Sequence, residues 1–131
     1  MPDTPRILIV DDHADLRLLL TYQLARIGLF EIHEAGDGQQ ALAALAAAPP
    51  DLIFMNLGLP LLDGVEVIRR VRALAAPLGR VPIIALTAYA GEQEEQRARQ
   101  AGCDAYVLKP VQDWGRVRQT VAALLARFPR P

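Results

Sequence analysis

The chain has one cysteine, one asparagine and one lysine, almost no excess of charge of either sign, and no apolar run near the roughly 20 residues that span a bilayer. Each shortage removes a class of function. Cys103 cannot form an internal disulfide and has no cysteine or histidine at metal-ligand spacing, so it reads as a small buried thiol without redox chemistry. A formal net charge of −1 at pH 7 gives no field able to hold a polyanion by counterion release, so nucleic-acid binding by this chain is not expected. Met1 to Arg6 lacks the charged and apolar stretches of a secretion signal, and the expectation is a cytoplasmic chain without membrane attachment. With 131 residues, 52% of them hydrophobic, one core can be buried, and a single domain over 1–131 with its core at about 6–127 is expected.

Two of the shortages have informative exceptions. Of the 14 basic residues only Lys109 is a lysine, and Asn56 is the sole asparagine; a local chemical reason is needed for each.

Short apolar runs alternate five times with helical patterns, the rhythm of a parallel sheet with helical crossovers. The spacing predicts strands at Ile7 to Val10, Phe30 to His33, Leu52 to Met55, Ile83 to Leu86 and Ala105 to Leu108. The first helix carries Leu16, Leu19, Leu20, Leu24 and Ile27 on one stripe and is closed by Gly28. The second runs from about Gln39 to Ala48, with Asp37 as N-cap and Pro49-Pro50 as its stop. Asp63 caps a third whose inner face is Val67, Ile68, Val71 and Leu74. A polar fourth helix falls within Glu92 to Ala101 and stops at Gly102, and a fifth turns Trp114, Val117, Val121, Leu124 and Phe128 inward. Parallel strands joined this way give an open α/β fold of five strands with helices on both faces. In such sheets the functional crevice lies beyond the carboxyl ends of the strands.

Those ends carry Asp11 and Asp12, Asn56, Thr87 and Lys109. Two adjacent carboxylates repel unless something positive sits between them, and an oxygen-only ligand set beside a phosphate suits magnesium rather than zinc. A hydroxyl and an ammonium nearby suit a transferred phosphoryl group, whose spread charge needs donors and a cation. A lysine reaches a single oxygen as a compact point charge, which the planar arginine fork does not. His13 and His33 have no second ligand or nucleophile beside them by spacing and are left without a role.

In order and spacing, four motifs resemble the receiver-domain signature of bacterial response regulators: Asp11-Asp12 after a strand, Asp51-Leu-Ile-Phe-Met-Asn-Leu-Gly-Leu-Pro-Leu-Leu-Asp-Gly64, Thr87-Ala88, and Tyr106-Val-Leu-Lys109-Pro110. The resemblance extends from about Arg6 to Arg127. It implies a flavodoxin-like, doubly wound sheet in the order 2-1-3-4-5 and a signalling part in a two-component phosphorelay, not an enzyme. Carried over, it implies that Asp11 and Asp12 hold magnesium with help from the Gly58 backbone carbonyl. Thr87 would bond a phosphoryl oxygen, Lys109 would pair with the acceptor and the phosphate, and Tyr106 would be the aromatic switch that moves with Thr87. The Lys109-Pro110 bond is often cis in the family. The implied partners are a histidine kinase or phosphotransfer protein, and an effector protein on the face made by the fourth helix, fifth strand and fifth helix. No output domain follows Phe128 in this sequence, so it is expected to be a stand-alone regulator or a receiver taken from a longer protein, with Pro129-Arg130-Pro131 as the start of a linker.

One position departs from that signature. The family's phosphoacceptor is an aspartate, and Asn56 offers a neutral, poorly nucleophilic amide in its place. Phosphorylation is expected to be blocked and magnesium to bind more weakly. An engineered trap, a natural receiver that signals without phosphate, and simple drift are the three explanations; drift sits poorly with the retained acidic pair and lysine. A phosphate-independent protein-binding module is thus one alternative. A haloacid dehalogenase-type phosphatase is another, but it calls for Asp-x-Asp where the chain has Asp11-Asp12-His13. A flavin-binding fold would need a glycine-rich turn after Val10, which is missing.

Overall fold

The computed structural model describes residues 4–89 and 91–127. In chain order the elements are β1 (Arg6–Val10), α1 (Ala14–Ala25), β2 (Glu31–Ala35), α2 (Gly38–Ala47), β3 (Leu52–Asn56), α3 (Gly64–Arg72), a 3-10 turn (Leu78–Arg80), β4 (Ile83–Thr87), α4 (Glu92–Ala101), β5 (Ala105–Leu108) and α5 (Trp114–Arg127). All strand pairs are parallel and the sheet order is β2-β1-β3-β4-β5, the flavodoxin-like order. No helix among the described residues is long and apolar enough to cross a membrane.

Alternation along each strand sends neighbouring side chains to opposite faces. Leu8, Val10, Ile53 and Met55 pack under α2, α3 and α4 with Leu45, Val67, Ile68 and Ala98, while Ile7, Ile9, Phe54 and Ile84 pack under α1 and α5 with Leu20, Leu24, Val121 and Leu124. β3 and β4 are buried along their whole length, which explains their unbroken apolar runs. Cys103 is buried in the first cluster, and burial pushes its thiol pKa up, away from reactivity.

The helix starts follow local chemistry. The Asp37 side chain accepts from the Gln40 N–H, and that of Asp63 from the Val65 N–H, each satisfying a donor that an α-helix leaves free. Gly102 ends α4 with φ of 120°, a conformation that favours glycine.

The expected boundaries need correction in places. β2 begins at Glu31 and runs to Ala35 because β1 draws it into register, with Arg6 opposite Glu31 and Val10 opposite Ala35. α1 ends at Ala25, before Gly28, and buries only a narrow stripe, Leu20 and Leu24; Leu19 and Ile27 are 42% and 38% exposed instead of facing inward. Leu74 lies beyond the end of α3 and is likewise exposed. Val117, Val121 and Leu124 are buried on α5 and Trp114 partly so; Phe128 lies outside the described residues.

Gly64 couples α3 to the end of β3. A methyl group there would overlap the Asn56 carbonyl oxygen and come within 2.7 Å of Leu57 Cα, whereas Gly58 faces open space. Gly64→Ala is expected to cost about 2 kcal/mol by overpacking against backbone, and Gly58→Ala about 0.5 kcal/mol or less. Urea unfolding midpoints of the two variants check this contrast.

Candidate functional site

Four strand ends meet at one edge of the sheet. Asp11 leaves β1 with its N–H on the Ala35 carbonyl, 3.0 Å away, and is 0% exposed. A carboxylate so buried must be compensated by charge or by donors. Lys109 Nζ supplies the charge, 3.2 Å from Asp11 Oδ2. The His13 N–H donates to Asp11 Oδ1 at 2.8 Å, and His13 Nδ1 lies 3.1 Å from the same oxygen. Lys109 is delivered by the end of β5: its N–H donates to the Thr87 carbonyl at 2.7 Å, and its peptide bond to Pro110 is cis.

Asn56 ends β3 and is buried. Its Nδ2 donates to Asp12 Oδ1 at 3.2 Å, and its Oδ1 accepts from the Gly58 N–H at 3.3 Å. These neighbours fix which way the amide points, since an ionised carboxylate only accepts and a backbone N–H only donates. An aspartate at this position could not make the first bond and would set a third negative charge beside the pair.

Thr87, also buried, accepts from the Tyr89 N–H at 3.1 Å through its hydroxyl, and so is engaged by the loop entering α4. The Tyr106 ring packs against the core cluster beneath α2, α3 and α4, and its hydroxyl donates to the Tyr89 carbonyl at 2.9 Å. Desolvation raises the Tyr106 pKa, the nearby Glu94 and Glu95 carboxylates add to the rise, and a hydrogen bond with Thr87 opposes it. The expected residues therefore fall into two linked groups: Asp11, Asp12, Asn56, Gly58 and Lys109 joined around the acidic pair, and Thr87 with Tyr106 joined through Tyr89.

His13 belongs to the first group, although spacing gave it no partner. Its ring lies 3.1 Å from Asp11 and 3.3 Å from Asp12. The available signal was local. A residue two places after an aspartate can donate its N–H back to that carboxylate, and this turn folds the imidazole over the acids. Asp11, Asp12 and His13 each offer one ligand atom, all within 4.8 Å of one another, a donor set that suits a divalent cation.

This geometry meets a clear match among known families. The response regulator receiver domain model fits residues 7–122. The chain belongs to the response regulator receiver family. It is 38% identical over 125 residues to the DNA-binding response regulator MtrA of Mycobacterium tuberculosis, covering 95% of this chain and 51% of that protein. The receiver thus spans about half the length of the mycobacterial relatives it matches. A 14.6 kDa protein of Leptolyngbya boryana is 42% identical over 106 residues, covering 80% of this receiver and 79% of that protein. Among solved structures, the receiver domain of a signal transduction histidine kinase from Syntrophus aciditrophicus superposes with a TM-score of 0.86 at 26% identity, covering 98% of this receiver and 95% of that chain. Receivers of this family act in two-component signalling, where they interact with histidine kinases or phosphotransfer proteins.

The hydrogen bonds around Asn56 set an expectation for stability. In buffer containing a chelator, Asn56→Asp should unfold about 1–3 kcal/mol more easily, because a donor to Asp12 is exchanged for a like charge. Thermal melting of the two proteins side by side tests it, and a variant as stable as the parent would show that the amide contact contributes nothing.

Proposed function

We propose that this receiver is held in its unphosphorylated conformation by Asn56 and signals by presenting that conformation to a protein partner. The supporting observation is the bonding of the amide. Asn56 stands where the family carries the phosphoacceptor, and its two polar atoms are taken up by Asp12 and Gly58 while Lys109 is committed to Asp11. A neutral amide oxygen is a poor nucleophile toward phosphorus, so the acyl phosphate of the family has no way to form.

The remaining roles follow the family pattern. Asp11 and Asp12 hold a divalent cation, magnesium in the family, with the Gly58 carbonyl as a further oxygen and Asn56 as a weakened one. Such an ion neutralises the acidic pair and polarises phosphoryl oxygens. Lys109 and Thr87 are the groups that would meet a phosphoryl group, and Thr87 with Tyr106 forms the switch. The partner on the input side is a histidine kinase or phosphotransfer protein. The effector face is the surface of α4, β5 and α5, where a groove is lined by Arg99, Tyr106, Leu108, Val111 and Arg116. Residues 1–131 act as one receiver unit on this reading.

Intact mass after incubation with magnesium and a small acyl phosphate tests the central claim. The chain as it stands should take up no phosphoryl group, and Asn56→Asp should take up one. Uptake by the unaltered chain would overturn the reading.

A further inference from the structure

We infer that the outer side of α1 is a self-association surface, on which α1 of a second copy of this chain docks antiparallel about a two-fold axis.

That side is apolar where a helix lying on a sheet is expected to be polar. Leu20 and Leu24 face the core, and the opposite side presents Leu18 at 71% exposure, Leu19 at 42% and Tyr22 at 63%. Five of the nine exposed large apolar side chains among the described residues fall between Leu18 and Leu29. Single exposed apolar residues are ordinary, but a concentration of them marks an interaction surface. The surface is also held in place. Arg118 Nη1 on α5 donates to Gln23 Oε1 at 2.7 Å, and Leu20 and Leu24 anchor the helix in the core, so docking has little order left to impose.

The ends of the stripe name its occupant. Asp15 in the first turn and Arg26 at the last are exposed, and among the described residues neither side chain has an ion pair or a hydrogen bond. Residues three or four apart share one side of a helix, and Asp15, Leu19, Tyr22 and Arg26 succeed one another at that spacing. The stripe is therefore acidic at one end, apolar in the middle and basic at the other. Laid antiparallel on its own copy, the register that sets Asp15 against Arg26 also sets Leu19 against Tyr22, each twice, with Leu18 beside them. A parallel pairing would set like charge against like. Complementarity to itself in this one orientation is the property of a two-fold dimer, and the opposed helix dipoles favour it as well.

Sedimentation velocity of the chain across a concentration series tests the inference. Monomer should give way to dimer between roughly 1 and 500 μM, the range of a small interface. Tyr22→Glu should stay monomeric throughout while melting at the same temperature in dilute solution, since the side chain touches solvent in the monomer. Asp15→Arg and Arg26→Asp should each weaken association at least about tenfold, and the two together should restore it to within about threefold. A chain that stays monomeric over the whole series overturns the inference. So does a dimer that survives Tyr22→Glu, which would place the contact on another face, or a double exchange no tighter than the single ones, which would place the charges outside it.

Discussion

A carboxylate with no exposure to water has to be neutralised from within the protein, and Asp11 imposes that demand on everything around it. Its satisfaction draws on three separate parts of the chain: the ammonium of Lys109 after β5, the N–H and ring of His13 at the entry to α1, and the Ala35 carbonyl of β2, which anchors its backbone. Lysine meets a single Asp11 oxygen as a compact point charge. The single lysine in a chain otherwise supplied with arginine is used at this contact, and the bond of its own N–H to the Thr87 carbonyl at the end of β4 places it there.

Asn56 fits the same constraint from the other side. The acidic pair already carries two negative charges, and only Asp12 of the two keeps an opening to solvent. An amide gives Asp12 a donor and takes one from Gly58, so both of its polar atoms are matched without adding charge. The contact is specific to the amide and has no counterpart for a carboxylate. The amide thus leaves a closed set of bonds, with no orphaned polar atom among the buried side chains of the described residues.

Most of this fold was legible from the sequence, and the reasons vary by element. β4, α4 and β5 fall where the pattern put them because prolines and Gly102 mark their limits and β4 is apolar throughout. β2 was misplaced because it is an edge strand with only Ala35 fully buried, so its bounds come from pairing with β1 and not from its own composition. Leu19 and Ile27 mislead for a related reason. A period of 3.6 shows that a helix has an apolar side, but the neighbouring elements decide how wide a stripe is covered. At the site, the acids, the asparagine, the threonine and the lysine could be picked out because each stands at or just after the carboxyl end of a strand. His13 was not, because its partnership is made by a backbone turn that residue type alone does not announce.

The ion pair between Asp11 and Lys109 joins residues 98 positions apart. Closing so long a segment costs chain entropy before any contact returns it, and non-local pairings of this kind slow folding. The crevice is complete only where β5 lies on β4 and brings the lysine across the sheet. Without it Asp11 has no cationic partner and favours hydration over burial. Every acidic residue of the crevice thus precedes, by nearly a hundred positions, the one cation that neutralises its buried member.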